Sequence, residues 1–221
     1  MEIAKKSVVI VEDNAGLCAQ LTSLLEQAPD LECLYTVDSA EQAIERIPQR
    51  PPDVVLMDIR LPGMSGIDCV AELKKSLPNL EIVMLTIYQD EESIFRALKA
   101  GASGYLIKSS DPESLYAAIR DVHSGGVPFS SLIARKVVQF FQEGEGGGGP
   151  TGKKKSVADE ANLTSREREV LELMASGYRY REIAAKLFVS LETVRTHVKH
   201  ICAKMHVRSR VEVLVKLRAA R

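Results

Sequence analysis

The feature that most constrains the fold is an alternation, repeated five times over roughly the first 125 residues, of a short apolar run and an amphipathic helical segment. The runs lie at 8–11, 31–37, 54–57, 82–85 and 105–107, and the helical segments at 17–27, 40–47, 69–77, 92–100 and 113–123. A run without apolar/polar alternation, such as 54–57, is typical of a parallel strand covered on both faces. The pattern therefore predicts a mainly parallel sheet with helices on both sides.

The rest of the chain predicts a different architecture. One more helix is predicted at 128–142, and the GEGGGGPTGKKK stretch after it cannot bury enough apolar surface to order itself. Beyond it only helices are predicted, at 165–175, 180–187, 191–205 and 210–219, with capping boxes at 164–167 and 209–212. A short helix, a three-residue break and a longer basic helix form a helix-turn-helix. We place one domain at 1–126, a linker helix and flexible Gly/Lys-rich linker at 127–161, and a second domain at 162–221.

The two halves of the chain carry opposite charges, although the formal net charge is only -1. Lys and Arg number 13 against 22 Asp and Glu in residues 1–149, and 16 against 8 in residues 150–221, which gives -9 and +8. The basic half favours a polyanion as partner, with a solvated charged face as the alternative.

Cysteine usage and hydropathy predict the compartment. The four cysteines are scattered without metal-ligand spacing, which is typical of a reducing environment. No apolar stretch approaches the ~20 residues needed to cross a bilayer, and the N-terminus lacks a signal-peptide pattern. We therefore expect a cytoplasmic protein with no membrane partner.

Polar residues follow four of the five apolar runs: Glu12 and Asp13 the first, Asp58 the third, Thr86 the fourth and Lys108 the fifth. The carboxyl ends of parallel strands meet at one edge of a sheet, where ligands bind. A divalent cation such as Mg²⁺ relieves the repulsion among three carboxylates, and a carboxylate can act as a nucleophile. The cluster predicts phosphoryl-transfer chemistry. The alternative interpretation is a set of unrelated helix caps, turn residues and a solvated lysine.

Several of these motifs resemble a known family. Four motifs of the first half resemble the receiver domain of bacterial two-component response regulators: Glu12-Asp13 after VVIV, MDIRLPGMSG around Asp58, MLT at Thr86 and GYLIK ending at Lys108. Four motifs of the second half resemble a LuxR-type DNA-binding domain: LTSREREVLELMASG, REIAAKL, SLETVRTHVKHICAKM and VRSRVE. Together they resemble the NarL/FixJ subfamily. The resemblance implies a flavodoxin-like (βα)5 doubly wound receiver domain followed by a small all-α four-helix helix-turn-helix domain, in a transcription regulator and not an enzyme.

The resemblance also implies a phosphoryl-acceptor site with a bound cation. Asp58 would accept a phosphoryl group, and Mg²⁺ would be held by Asp13, by Asp58, by Glu12 through water and by the backbone carbonyl of Arg60. We expect Asp58 to be exposed at the strand tip so that a kinase can reach it. Arg60 and Ile87 are bulkier than the residues often found there, so we hypothesise that they hinder the hydrolytic water and lengthen the phosphorylated lifetime.

Three further residues are implied to act on the phosphoryl group or to respond to it. Lys108 would pair with its oxygens, and Thr86 would swing toward them. Tyr105 would follow inward and alter the face formed by the fourth helix, fifth strand and fifth helix, which biases a two-state element. The alternative for Tyr105 is a plain packing role.

The predicted recognition helix at 191–205 has a polar face and an apolar face. Arg195, Thr196 and Lys199 share the polar face, and Arg and Lys suit both guanine edges and phosphates. The opposite face should pack into the core through Val194, Val198, Ile201 and Met205. The stretch GYRYREIA stands where the family more often has a small capping residue followed by Asn-Lys, and Tyr180 and Arg181 in this stretch could reach phosphates. The full set of candidate DNA contacts is Arg195, Thr196, Lys199, Thr193, His200 and Arg181.

The last predicted helix has two interpretations. In the family it mediates dimerisation, for which Val211, Leu214 and Val215 are the candidates. The same apolar positions are also consistent with packing inside one domain.

The implied partners are a sensor histidine kinase, double-stranded DNA and, on phosphorylation, a second copy of the chain, with RNA polymerase as a further candidate. One alternative is a metal-dependent phosphatase with Asp58 as nucleophile, but its acid/base carboxylate would stand where this chain has Arg60. Another is a phosphorylation-independent docking module whose helical domain binds protein, against which the Arg195/Lys199 face argues.

Overall fold

The computed structural model describes residues 5–87, 90–108, 111–129, 133, 136, 162–207 and 210–218, without the side chains of 215 and 218. Its first half contains one parallel sheet of five strands in the order β2-β1-β3-β4-β5. The strands are β1 Lys6–Val11, β2 Leu31–Val37, β3 Val54–Met57, β4 Glu81–Thr86 and β5 Gly104–Ile107. The order reverses between β1 and β3, which is where ligands bind in doubly wound sheets.

Five helices cover the sheet: α1 Ala15–Gln27, α2 Ala40–Arg46, α3 Gly66–Ser76, α4 Glu91–Ala100 and α5 Pro112–His123. Alternate residues of the strands point into two separate apolar clusters. In β1, for example, Val9 and Val11 belong to one cluster and Val8 and Ile10 to the other. The apolar runs lack alternation because both faces of the sheet are buried. The prediction of a parallel sheet covered on both sides is confirmed.

The second half is helical, with α6 Ser165–Ala175, α7 Tyr180–Leu187, α8 Leu191–Lys204 and α9 Arg210–Arg218. Thr164 and Glu167 form the predicted capping box, and the Ser190 side chain caps α8 by accepting from the Thr193 amide. The predicted core residues of α8, Val194, Val198, Ile201 and Met205, are all buried. The other predicted capping box depends on residue 209, which lies outside the described residues.

The segment after α5 differs from its prediction. Residues 128–142 were expected to form a helix, but Phe129 forms a parallel bridge with Tyr105, and the Tyr105 amide donates to the Pro128 carbonyl at 2.9 Å. The segment therefore first runs beside β5, and residues 133 and 136 are helical. Most of this predicted helix and the whole glycine-rich linker lie outside the described residues. Within the described parts of the chain, no helix combines the length and apolarity needed to span a membrane.

Candidate functional site

The carboxylate cluster forms at the carboxyl ends of the two strands that flank the reversal of strand order. Glu12 and Asp13 follow β1, and Asp58 follows β3. The Asp58 amide donates to the Val11 carbonyl at 2.9 Å, which continues the ladder between the two strands. One carboxylate oxygen from each acidic residue lies within 4.8 Å of the others. The structure thus brings together the three acidic residues that the sequence singled out.

A glycine places the next helix directly against this site. The Gly66 amide donates to the Ile59 carbonyl at 2.8 Å, at the start of α3. A Cβ atom at Gly66 would lie 1.7 Å from the Asp58 carbonyl oxygen. No side chain fits there, so the PGMSG turn can return the chain under Asp58 only with glycine at this position.

Lys108, directly after β5, joins two of the carboxylates. Its Nζ lies 2.7 Å from Glu12 Oε2 and 2.9 Å from Asp58 Oδ2. The Lys108 amide donates to the Thr86 carbonyl at 2.9 Å, which holds the lysine at the rim. The other Asp58 oxygen, Oδ1, accepts from the Ile59 amide at 2.8 Å. Both oxygens of Asp58 are therefore partnered and its carboxylate is fixed in orientation.

Burial and charge shift the pKa values of two groups at the site. Burial raises the pKa of Glu12, and the Asp58 charge adds to this, against the hydrogen bond from Lys108 that lowers it. Burial alone would lower the pKa of Lys108, but its hydrogen bonds to Glu12 and Asp58 outweigh this effect, so its pKa is raised. Lys108 therefore remains a cation at neutral pH and balances part of the acidic charge.

The donor set fits a hard divalent cation. Three carboxylates converge on one point, and oxygen donors are what Mg²⁺ prefers. Asp13 is exposed while Glu12 and Asp58 are buried, so the cluster opens to solvent on one side. Two carboxylates share a single lysine, which leaves a negative charge for a cation to neutralise.

The expectation that Asp58 is exposed at the strand tip is wrong. Asp58 is only 6% exposed, because Lys108 lies on one oxygen and the turn into α3 packs beneath it. Arg60, by contrast, is exposed, and Ile87 is 63% exposed. The two bulky side chains, Arg60 after β3 and Ile87 after β4, therefore lie at the protein surface.

Thr86 and Tyr105 are both fully buried. Thr86 ends β4 and Tyr105 lies in β5, where Tyr105 packs into the same apolar cluster as Met57 and Met84. Burial raises the pKa of the Tyr105 hydroxyl. The inward position of Tyr105 fits both interpretations of the sequence, a switch residue and a packing aromatic.

The residues of the predicted polar face of the recognition helix, α8, differ in their exposure to solvent. Thr196, Lys199 and His200 are exposed, and Arg181 on α7 is exposed too. Thr193 is partly buried beside Ser190, the residue that caps the helix. Arg195 is turned toward the first domain: its guanidinium donates to Glu192 Oε1 and to the His123 carbonyl, each at 2.6 Å. In this arrangement Arg195 is held by the receiver half of the molecule.

Tyr180 is not a surface residue, so the suggestion that it could reach phosphates is wrong for this arrangement. It is 5% exposed, and its amide donates to the Ser124 carbonyl at 3.1 Å. A Cβ atom at Gly125 would lie 2.1 Å from the Tyr180 ring, so the ring packs directly on the Gly125 backbone. Nearby, Arg179 lies 3.2 Å from Asp121. These contacts join α7 to the end of α5.

The last helix, α9, contacts both halves of the molecule. Val211 is buried in the cluster formed by the first domain, and α9 packs against α4. Leu214 packs against the core of the helical domain, and the side chain of Val215 lies outside those described. Packing on the receiver half was not among the two interpretations offered by the sequence.

Sequence reasoning missed the residues that join the two halves, chiefly His123, Asp121 and Gly125. Their contacts pair positions far apart in the chain, such as 123 with 195, and no local pattern encodes such a pair. The adjacent glycines at 125 and 126 were the one available signal of a close approach.

Comparison with known proteins agrees with this geometry. Residues 8–120 match the response regulator receiver domain, and residues 161–217 match the bacterial regulatory proteins of the luxR family. The chain is 34% identical over 213 residues to the oxygen regulatory protein NreC of Staphylococcus carnosus, with 94% of each chain covered.

Solved structures give the same result. A LuxR-family two-component response regulator from Aurantimonas sp. SI85-9A1 superposes with a TM-score of 0.60 at 27% identity, over 63% of this chain and 99% of that one. The response regulator ChrA of a heme-sensing two-component system gives 0.53 at 28% identity over 98% of both chains.

These matches define a signal receiver domain joined to a LuxR-type helix-turn-helix domain. The chain belongs to the two-component response regulators of the NarL type, as the resemblance of its motifs predicted. The family regulates transcription through DNA binding and is not a family of enzymes, so the phosphatase interpretation is dropped.

Proposed function

We propose that this response regulator accepts a phosphoryl group on Asp58 from a sensor histidine kinase and, as a phosphorylation-controlled dimer, binds DNA to regulate transcription. The observation that carries the proposal is the convergence of Glu12, Asp13 and Asp58 with Lys108 bound to two of them. The domain limits that we propose are 1–126 for the receiver, 127–161 for the linker and 162–221 for the DNA-binding domain.

The proposed chemistry is nucleophilic attack by an Asp58 carboxylate oxygen on the phosphorus of a phosphohistidine or a small acyl phosphate, with the imidazole or the carboxylate as leaving group. Lys108 already lies 2.9 Å from Asp58 Oδ2, so a modest shift would pair it with the transferred group. Mg²⁺ held by Glu12, Asp13, Asp58 and the Arg60 carbonyl would neutralise charge on the phosphoryl oxygens. Thr86 and Tyr105 are the proposed switch residues.

The first test is phosphorylation itself. Incubation with acetyl phosphate and Mg²⁺ should add one phosphoryl group, seen in the intact mass and placed on Asp58 by peptide mapping after borohydride trapping. Asp58→Ala should abolish the addition, and the matched change Asp53→Ala, in the turn before β3, should leave it intact. Equal labelling of wild type and Asp58→Ala would rule out Asp58 as the acceptor.

The second test separates DNA binding from protein docking. Duplex DNA should be bound with an affinity that falls steeply with salt, because phosphate contacts release counterions. Changing Lys199 or Arg181 to alanine should reduce the salt slope by about one each. Absent or salt-insensitive binding would favour the docking-module interpretation.

The third test concerns assembly. Sedimentation of the full chain with Mg²⁺ and beryllofluoride should show a dimer in wild type and a monomer in Asp58→Ala. A wild-type protein that remains a monomer both with beryllofluoride and on DNA would contradict the proposed dimer. Val211, Leu214 and Val215 are the proposed dimer contacts, and Val211 would first have to leave the receiver.

A further inference from the structure

We propose that the cavity between the two halves of the molecule is a binding site for a small organic anion that carries a carboxylate or phosphate group. The cavity has a volume of about 280 Å³. Its receiver wall includes Lys74, Glu81 and Ser103, and its helical wall includes Arg195, Cys202 and Arg210. We call this space the interdomain cavity.

The first observation is a buried lysine with unused donors. Lys74, on α3, is only 7% exposed, and its Nζ donates to the Pro78 carbonyl at 3.3 Å. An ammonium group has three N–H donors, so two of them have no protein acceptor among the described residues. Burial lowers the pKa of Lys74, against the attraction of Glu81. A buried cation without a paired anion is costly, and a bound anion removes that cost.

The second observation is a buried guanidinium in the same state. Arg210 donates from Nη2 to the Tyr178 carbonyl at 2.7 Å and lies 5.0 Å from the centre of the Tyr180 ring. Its Nε and Nη1 are buried, and neither has a hydrogen-bond partner in the described parts of the chain. Buried guanidinium donors are almost always satisfied, so two orphaned nitrogens at one cavity indicate a missing acceptor.

The charges around the interdomain cavity favour an anion. Four basic residues line it against one carboxylate, Glu81: Lys74, Arg195, Lys199 and Arg210. No ion pair within 4.0 Å joins Glu81 to Lys74 or Arg210 among the described residues, and Arg195 is paired with Glu192 outside the cavity. The carboxylate or phosphate oxygens of a ligand would supply acceptors for Lys74 and, once the Arg210 side chain turns toward the cavity, for its buried Nε and Nη1.

Size and wall composition define the class of ligand. The cavity volume of about 280 Å³ lies at the lower end of the range of small-molecule sites, which is about 300–1,000 Å³. The cavity therefore suits a compact metabolite and is too small for a peptide helix or a nucleic-acid strand. The remaining wall includes Val198, Val207 and Val211, which favours an anion with an apolar body. Such a ligand would touch both domains at once and stabilise the arrangement in which Arg195 is held by the receiver.

Calorimetry with two probes tests the site directly. Inorganic phosphate and succinate are titrated into the full chain in Mg²⁺-free buffer with EDTA, at constant ionic strength with chloride, so that the Asp58 site does not contribute. We expect saturable binding of at least one probe, and the stronger probe identifies the preferred acidic group. Lys74→Gln and Arg210→Gln should each weaken it by about tenfold or more, the size of one hydrogen bond to a charged group.

Lys75→Gln is the matched control, because Lys75 is the next residue on α3, is exposed and pairs with the exposed Glu72 outside the cavity. It makes the same change of charge and should leave the affinity unchanged. Absence of saturable binding, or an equal loss in all three variants, would overturn the proposal.

A measurement on the wild-type protein guards against variants that fail to fold. Cys202 lines the cavity, whereas Cys18 lies on α1 in the first domain. The probe that binds should slow alkylation of Cys202 by N-ethylmaleimide and leave Cys18 in the same sample unaffected. An unchanged Cys202 rate at saturating probe would refute the site. DNA and phosphorylation enter neither experiment, so this proposal and the proposed function can fail separately.

Discussion

At the scale of single residues, Lys108 balances the charge of the acidic site. It places one positive charge against two buried carboxylates, Glu12 and Asp58, with both contacts under 3 Å. Removal of a buried partner leaves uncompensated charge, which is among the larger costs that a single substitution can impose.

Lys108→Met should therefore lower the free energy of unfolding by about 3 kcal/mol in the absence of divalent cations. Mg²⁺ should raise the free energy of unfolding more in the variant than in the wild type, because in the variant no lysine competes with Mg²⁺ for Glu12 and Asp58. Thermal unfolding with and without Mg²⁺ measures both effects. Lys99→Met, an exposed lysine in the last turn of α4, is the control. An equal magnesium response in Lys108→Met and wild type would contradict this account.

Arg60 and Ile87 give a second prediction at this scale. Both are exposed after strands that end at the site, where they can obstruct an approaching water. The double change Arg60→Ala and Ile87→Ala should speed loss of the phosphoryl group from Asp58 several-fold, measured by the decay of phosphorylated protein after removal of the donor. An unchanged decay rate would show that neither side chain shields the phosphoryl group.

Glu167 gives a prediction about pH. Its Oε2 accepts from the Thr164 amide and from Lys204 Nζ, each at 2.7 Å. Burial would raise the pKa of Glu167, but these hydrogen bonds lower it below its ordinary value of 4.5. A lowered folded-state pKa means that the carboxylate stabilises the fold above about pH 4.5 and that this contribution is lost as the pH falls through the folded-state value.

Glu167→Gln should accordingly cost about 1 kcal/mol at pH 7, with the difference from wild type shrinking as the pH falls below 4.5. Unfolding temperatures between pH 3 and 7 measure this. Glu169→Gln removes a charge from the exposed pair with Arg166 and should give a small difference. A difference for Glu167→Gln that stays constant over this range would show that the charge is not the cause.

At the scale of elements, most of the architecture could be predicted because it depends on local pattern. The buried strands have no alternation, and Thr164, Ser190 and Gly177 mark helix ends in the sequence as they do in the structure. The bridge between Phe129 and Tyr105 was missed because it depends on what lies beside β5 and not on the sequence near 129. The buried state of Asp58 was missed for the same reason, since Lys108 covers it from another strand.

The junction between α7 and α8 gives a prediction about one element. Phe188 ends α7 in the left-handed conformation, with φ +54°, and its side chain is 95% exposed. A side chain in this conformation costs about 1 kcal/mol, which glycine does not incur, and the exposed ring gains nothing from burial.

Phe188→Gly should therefore raise the free energy of unfolding by about 0.5–1 kcal/mol. Phe188→Ala keeps the backbone strain and removes only the ring, so it should leave stability nearly unchanged. Thermal unfolding of the full chain compares the three. Destabilisation by both variants would mean that the ring makes a stabilising contact in solution.

At the scale of the whole molecule, the acidic first half and the basic second half meet each other within one chain. Arg195 donates to His123 and Arg179 lies against Asp121, so basic residues of the helix-turn-helix are directed at the receiver. The charge split could be predicted from sequence, but this contact could not, because it depends on the complementary shapes of two folded surfaces.

The tightest point of that contact is Gly125 under the ring of Tyr180. Gly125→Ala should separate the two halves, because its Cβ would lie 2.1 Å from the ring. Small-angle scattering should show a larger radius of gyration. Gly177→Ala is the control: that glycine also has a positive φ, but its Cβ would meet nothing within 4 Å. Equal dimensions for wild type and Gly125→Ala would contradict a closed arrangement in solution.

The two edges of the sheet end differently, and this bears on how the protein behaves at high concentration. Pro128 and Phe129 lie along the β5 edge, so some backbone groups of β5 already have hydrogen-bond partners. At the other edge, β2 carries exposed Glu32 and Thr36, and its pairing with β1 is interrupted by a bulge between Val8 and Val9. Occupied, charged or irregular edges resist pairing with strands of other molecules. Crowded copies of the chain should therefore resist fibre growth through their sheets.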